Sequence, residues 1–461
     1  MKLRTIISFA VGPIGAALLG FITLPVITWF FSSADIGRIA LLHVVLSFGV
    51  LLFSMGLDQA YVREYHEDPN RPTLLKVTLL PGFGLLLMAL ALTMVEPTFL
   101  SRMLFGLPEV SYSILVAVCV LASFTSRFLS LILRMQERGL AYSMSQVLPK
   151  VVFLALVGLY VLFADEFNFV KLLVGHTVSL LTVVVIYSWN TRQDWLLSVR
   201  APFSVERFKF LLSYSSPLIL ASLAFWGLTA MDKLFLRGLS SFEELGVYSV
   251  AVSFAAAATI VQTIFSTIWA PLVYKWAAAG INEDKVRQVI GYVLAVVLGL
   301  FAAAGLFSWI ILYLLPEQYV EVQYLVVACM AFPLLYALSE ATKVGIGIQR
   351  KTKLSMIAAV VAALLNLVGN YLLIPILGAQ GAALSTAVAF FVFFVLRTEF
   401  AIRVWIPLPR LLLYAPTGTC VILSILMVLY GEHYANLLRI AFAAIALFAL
   451  ALFWRTHRSG G

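Results

Sequence analysis

Three residue classes are scarce in this chain. It has three cysteines, Cys119, Cys329 and Cys420, each inside an apolar run and far from the others. That spacing excludes a disulfide framework and a cysteine-based zinc site. The five histidines, His43, His66, His176, His433 and His457, form no ligand-spaced pair, so neither a metal nor a cofactor is expected. Charge is scarce as well. Asp, Glu, Lys and Arg make up 11% of the 461 residues, against about 25% in an average soluble domain. Hydrophobic residues make up 62%, more than a soluble globule can hide from water. An ordinary soluble enzyme, a disordered chain and a nucleic-acid binder are excluded on composition. No HExxH, P-loop, nucleophile elbow or dinucleotide fingerprint occurs. Gly345-Ile346-Gly347 lacks a third glycine and lies in an apolar run. No residue qualifies as catalytic, and we expect no enzyme.

What the chain has is a succession of apolar runs of spanning length, roughly 20 residues each. Cutting at charge clusters and at Pro, Gly and Asn turns yields about 14 candidate transmembrane helices. They lie near 5–31, 36–57, 74–95, 110–133, 143–164, 168–190, 213–237, 244–270, 287–315, 322–343, 354–377, 380–403, 409–430 and 437–454. The runs are continuous in polarity, which excludes barrel strands. The expected fold is an all-α polytopic membrane protein. The first run follows Met1-Lys2-Leu3-Arg4 and is too long for a signal-peptide core. Placing the N-terminus inside sends most cations to cytoplasmic segments, including Arg63, Arg71, Lys76, Arg192, Arg200, Arg207, Lys209, Arg350, Lys351 and Lys353. Only Arg38, Arg102, Lys171, Arg237 and Arg439 fall outside. This is the positive-inside pattern, and with an even span count it puts both termini in the cytoplasm.

The longest polar insert, 191–212, mixes Trp195, Phe203, Phe208 and Phe210 with Arg192, Arg200, Arg207 and Lys209. It reads as an interfacial helix on the cytoplasmic surface. Motifs recur on its two sides. Ser32-Ser33-Ala34-Asp35-Ile36-Gly37 echoes Ser240-Ser241-Phe242-Glu243-Glu244-Leu245-Gly246; Gln136 with Ser143-Met144 echoes Gln349 with Ser355-Met356; Leu156-Val157-Gly158-Leu159-Tyr160 echoes Leu367-Val368-Gly369-Asn370-Tyr371. Six spans separate the members of each pair, so the repeats run parallel. The expected plan is an N-lobe over 1–190 (spans 1–6), the linker 191–212, a C-lobe over 213–403 (spans 7–12) and an appendix over 404–461 (spans 13–14 and a cytoplasmic tail), with a central cleft between two parallel six-helix lobes.

The stretch Leu365-Asn366-Leu367-Val368-Gly369-Asn370-Tyr371-Leu372-Leu373-Ile374-Pro375, followed by Gly378-Ala379-Gln380-Gly381-Ala382-Ala383, resembles the polysaccharide transporters of the multidrug/oligosaccharidyl-lipid/polysaccharide flippase superfamily. So do Tyr214-Ser215-Ser216-Pro217-Leu218 leading to Met231-Asp232-Lys233, Gly246-Val247-Tyr248-Ser249-Val250-Ala251, and Leu24-Pro25 through Gly37 to Gly56-Leu57 and Arg63. The resemblance implies alternating access and transport of an undecaprenyl-pyrophosphate-linked oligosaccharide, an O-antigen or exopolysaccharide repeat unit, across the bacterial inner membrane. It also implies a polysaccharide polymerase and a chain-length regulator as partners, beside the lipid bilayer itself. Two other members of the superfamily fit less well. Proton-coupled drug antiporters place an acid in span 1, and lipid II flippases place cations there, whereas residues 5–31 hold no ionisable group. A membrane polysaccharide polymerase or ligase would need a sizeable external loop, and the external connections are short.

Ionisable residues at membrane depth are costly and usually face a cavity or a partner. The candidates are Arg127 in span 4, Lys150 in span 5, Asp232 and Lys233 in span 7, and Glu340 and Lys343 in span 10, with Arg63 at the cytoplasmic mouth. Arg127 and Lys150 have no acid nearby in sequence. Glu340 and Lys343 are spaced for an i,i+3 ion pair. A pyrophosphate must have its charge compensated away from water. Arg127, Lys150, Lys233, Lys343 and Arg63 are therefore the expected pyrophosphate ligands, and Asp232 and Glu340 the expected coupling or cleft acids. Trp226, Tyr336 and Gln262 are available to sugars.

Overall fold

The computed structural model describes residues 3–163, 166–278 and 283–458, which are 89% helical with no strand among them. The chain is a multi-pass membrane protein: eleven helices among the described residues are long and apolar enough to cross a bilayer. The extreme termini, 1–2 and 459–461, expected on the cytoplasmic side, lie outside the described residues.

The chain divides into two compact units, Met1–Trp226 and Gly227–Gly461. The first is built from α1 (Leu3–Phe30), α2 (Ser33–Ser54), α3 (Leu57–Glu64), α4 (Arg71–Thr93), α5 (Phe99–Phe105), α6 (Val110–Met135), α7 (Gly139–Phe163), α8 (Phe169–Asn190) and α9 (Arg192–Arg200), and ends within α10 (Val205–Leu239). The second continues through α11 (Phe242–Ala255), α12 (Thr259–Ala278), α13 (Glu283–Phe307), α14 (Val322–Cys329), α15 (Ala331–Thr342), α16 (Val344–Ile348), α17 (Thr352–Leu377), α18 (Ala379–Val404) and α19 (Arg410–Arg458). The last element joins two helices across a non-helical Tyr434 (φ −120°, ψ 16°), and both of the last two expected spans lie in it.

Two of the repeated motifs prove to be helix punctuation. Ser32 caps α2 by accepting from the Asp35 N–H (3.1 Å), and Ser241 caps α11 by accepting from the Glu244 N–H (3.2 Å). A serine side chain there satisfies a donor that the helix leaves open. Helices α6 and α16 end on the same left-handed turn. Glu137 (φ 56°) closes one through Arg138 N–H to Leu133 O (3.1 Å), and Arg350 (φ 54°) closes the other through Lys351 N–H to Ile346 O (3.0 Å). The glycine of the third motif has different surroundings in each copy: Gly369 packs on Ser385, while Gly158 faces open space.

The 191–212 segment differs from the single surface helix expected of it. Pro202 disfavours helix at the residue before it, and Ala201 is extended (φ −68°, ψ 150°). The result is a short α9 and a break, with 205–212 forming the first turns of α10. Lys76 Nζ caps the end of α9, donating to Val199 O (2.9 Å) and Ala201 O (2.7 Å), where the helix dipole favours a cation. A buried cluster that includes Tyr61, Leu74, Leu131, Leu133 and Leu211 then ties α3, α4, α6 and α10 together.

Helices α2 and α4 approach so closely that a Cβ on Gly82 would collide with the Phe53 carbonyl oxygen, whereas Gly84 has nothing nearby. Gly82→Ala is expected to cost about 1–3 kcal/mol by overpacking. Gly84→Ala should be neutral or gain up to about 1 kcal/mol from helix propensity. Thermal unfolding of the two detergent-solubilised variants checks the contrast.

Candidate functional site

In the first unit, Met55 (φ 50°) and Gly56 (φ 68°) turn the chain sharply from α2 into α3. The Ser215 hydroxyl donates to Met55 O (3.1 Å) and holds that turn. It sets Asp58 in the first turn of α3, opposite Arg127 on α6. Nε and Nη2 of Arg127 both donate to Asp58 Oδ2, at 3.0 and 2.6 Å. Sequence proximity offered Arg127 no acid; folding supplies one from 69 residues away. The Asp58 side chain is 9% exposed, while Arg127 keeps 41% of its side chain exposed. The guanidinium is thus anchored along one edge without being sealed in. On α3 and at its C-terminal cap, outside the spanning segments, burial pushes the Tyr61 and Tyr65 phenols up, so both remain neutral.

Lys150 has a different kind of partner. Its Nζ donates to Ala16 O on α1 (2.7 Å) and lies over Gly20, where an added Cβ would come within 2.7 Å of it. Gly12, Ala16 and Gly20 are spaced four apart along α1. Small residues at this spacing let helices approach closely in a membrane, and Gly12 lies directly against Ser143 of α7. Lys150 makes no salt bridge among the described residues. Arg63 pairs with Glu67 at 3.7 Å, both exposed, an arrangement worth little energetically.

In the second unit the expected i,i+3 pair forms, with Lys343 Nζ 2.5 Å from Glu340 Oε1. The same oxygen also accepts from Arg397 Nη1 of α18 (3.1 Å). Arg397 is 4% exposed. Nη1 also donates to Ser339 Oγ (2.9 Å), and the guanidinium lies 4.6 Å over the Phe393 ring and 5.6 Å from Tyr336. Its buried Nε has no hydrogen-bond partner. The sequence does not mark Arg397, because it stands close to the polar end of its span. The available signal was its spacing from Phe390, Phe393 and Phe394, which puts an aromatic face beneath it.

Asp232 and Lys233 diverge as neighbours on a helix must. Asp232 is buried (4% exposed), accepts from the Tyr248 hydroxyl and from the Lys233 backbone N–H (2.8 Å), while the Lys233 side chain is partly exposed. Tyr248 also interacts with Thr386. Thr386 Oγ1 accepts from Asn366 (3.2 Å), and Asn366 Oδ1 accepts from Asn370 (3.0 Å). The buried Asn370 Oδ1 has no partner. Asp232 therefore begins a buried polar chain across α10, α11, α18 and α17. Its signal was two asparagines four apart in an apolar helix.

Of the expected sugar contacts, Trp226 Nε1 donates to Ser47 Oγ (3.0 Å), Tyr336 stacks on Phe393, and the Gln262 Oε1 is buried without a partner. The fold also joins two histidines that spacing kept apart. The His43 and His176 rings meet edge to face at 4.8 Å, with His176 stacked on Phe153 at 4.0 Å. No group of three or more metal-ligating side chains occurs among the described residues.

A family model described as polysaccharide biosynthesis protein matches residues 3–276. No curated protein matches the sequence. Among solved structures, the lipid II flippase MurJ in an inward closed conformation is similar over 97% of this chain and 99% of its own, with a TM-score of 0.71 at 12% identity. An inward-facing multidrug resistance MATE family transporter of the MOP superfamily aligns over 87% of this chain and 96% of its own, with a TM-score of 0.56 at 15% identity. A MATE in the straight conformation gives 0.52 at 16% identity over the same shares. These likenesses show a shared fold.

Because Asp58 is the more buried partner, Arg127→Gln should destabilise more than Asp58→Asn. Asp58→Asn/Arg127→Gln should recover part of the loss, with a coupling energy of about 1–3 kcal/mol. A double-mutant cycle on thermal stability measures it.

Proposed function

The chain belongs to the polysaccharide biosynthesis protein family, and on that premise we propose that it is a flippase for an undecaprenyl-pyrophosphate-linked oligosaccharide. The cargo is an O-antigen or exopolysaccharide repeat unit, carried across the bacterial inner membrane by alternating access of the lobes expected over 1–190 and 213–403. The positive-inside distribution supports cytoplasmic termini. A polymerase and a chain-length regulator would receive the product.

The observation that carries this reading is the state of Arg127. A buried acid aims it, yet two-fifths of its side chain stays accessible. Lys150 adds a cation with only a carbonyl as partner, and one carboxylate, Glu340, is shared by Lys343 and Arg397. Counting Lys150 with the Asp58–Arg127 pair, the first unit keeps an excess positive charge, and the Glu340 cluster keeps another. That balance suits a pyrophosphate and opposes an organic cation. The drug-antiporter alternative is further disfavoured by the absence of any ionisable residue over 5–31. Glu340 is committed to two cations. Asp232, held by a neutral hydroxyl and a backbone N–H, is the acid left for ion coupling.

In cells whose surface polysaccharide depends on this chain, Arg127→Gln and Lys150→Gln should each lower its display, normalised to the abundance of the variant in the membrane, at least about tenfold, the effect of roughly 1.4 kcal/mol of lost binding. Asp58→Asn/Arg127→Gln separates folding from transport: it should be more stable than Arg127→Gln and equally inactive. Normal surface polysaccharide in all three variants would overturn the assignment of these cations, and resistance to cationic drugs conferred by the wild type would favour the antiporter.

A further inference from the structure

Where α16 gives way to α17, close to the last turn of α18, the second unit holds a cavity of about 590 Å³. Four cations line it, Arg350, Lys351, Lys353 and Arg403, over an apolar floor that includes Leu354 and Phe400. No carboxylate lines it. The acid one turn away on α18, Glu399, is bound by Arg410 at 2.7 and 2.9 Å and by the Tyr414 hydroxyl at 2.8 Å. None of the four cations makes a salt bridge among the described residues.

The backbone does not require all of these charges, because the first unit builds the same turn with a cation at only one of the four positions, Arg138. The residue in the left-handed position is Glu137 there and Arg350 here. At the same spacing Leu140 stands for Lys353 and Asn190 for Arg403. In the first unit Arg138, the counterpart of Lys351, spans the corner and donates to Asn190 O and Oδ1 (3.3 and 3.4 Å). In the second unit the corner stays open. Arg350 occupies a left-handed conformation that favours glycine, as Glu137 does in the first unit.

What lies alongside narrows the occupant. Running away from the cavity, α17 exposes Ile357, Val361, Leu364 and Val368, residues that share one helix face. A ligand with its head among the cations can lay a hydrocarbon chain on that face. The cavity size suits a headgroup, and the cation distribution assigns this end to the cytoplasmic leaflet. Basic pockets between spanning helices on that side are natural sites for anionic lipid headgroups. We propose that this cavity binds the phosphate of an anionic membrane phospholipid, separately from the transported cargo.

The test uses the purified full chain in neutral detergent, with native mass spectrometry of bound lipid. Phosphatidylglycerol should be retained in preference to phosphatidylcholine by about tenfold or more. Lys351→Gln/Lys353→Gln/Arg403→Gln should abolish that preference. Lys209→Gln/Arg455→Gln/Arg458→Gln, which removes equal charge elsewhere, should leave it intact. An unchanged preference in the first variant, or equal loss in the second, overturns the site. Two competition arms separate the sources of phosphate. Displacement of phosphatidylglycerol by equimolar undecaprenyl diphosphate, or by inorganic phosphate at a similar concentration, would overturn the phospholipid assignment; failure of both to displace it supports the assignment.

Discussion

Hydrocarbon offers no hydrogen bonds, so a charged group placed at membrane depth must bring a partner with it. In this chain that constraint decides where charges sit and which helices touch. Arg127 is tolerable on α6 because the Met55–Gly56 turn delivers Asp58 to it. Lys150 is tolerable on α7 because three small residues on α1 bring a backbone carbonyl within reach. Arg397 is tolerable within α18 because Glu340, Ser339 and two aromatic faces receive it. In each case the polar contact and the helix packing are one requirement, since the approach that packs the helices is the approach that completes the bond.

The internal repeat shows the same rule from another side. What the two units share is punctuation: serine caps at the starts of α2 and α11, and left-handed turns after α6 and α16. These features satisfy open backbone groups and bear no relation to cargo. What the units do not share is the pattern of charge. Asp232, Lys150 and Arg397 have no charged counterpart at the repeat spacing. At the caps and turns a charge can recur with its sign, as Asp35 with Glu244 and Arg138 with Lys351, but at membrane depth the sign is reversed. At the spacing that relates Glu137 to Arg350, Arg127 falls on the position of Glu340. A repeat that keeps its caps and changes its charges has divided scaffold from specialisation.

This division also governs what could be read without coordinates. Spanning runs are set by local composition, so most spans, the all-α class and the i,i+3 pair of Glu340 with Lys343 were legible. The helix break at Pro202 was legible in principle but lost inside a polar, aromatic-rich insert that resembled one amphipathic element. Asp58 and Arg397 were not legible as site residues. Each lies near the end of an apolar run, where the positive-inside count treats a charge as part of a loop, and each finds its partner 57 or more residues away. The His43–His176 contact failed for the same reason, since ligand spacing registers pairs on one element only. The asparagine pair on α17 stands in the family-like stretch, but its role depends on the helices that place Thr386 and Tyr248 beside it.

A carrier must also return without its cargo, and this bears on how its cations are held. A bare arginine at membrane depth costs about 2.5–3.5 kcal/mol on insertion scales, a cost that recurs in every empty half-cycle. If the cations were neutralised completely, nothing would remain to attract a pyrophosphate. The observed arrangement is intermediate. One edge of Arg127 is satisfied by Asp58 while the side chain stays accessible, and Lys150 rests on a carbonyl that lowers its cost without cancelling its charge. On the proposed reading, a pyrophosphate at such a site would share donors that already serve another acceptor, and on release those donors would return to it. Binding would then be moderate by construction, which is what the proposed translocating site requires, because a site that held its anion as tightly as fixed, unpaired cations allow would not let it go on the far side.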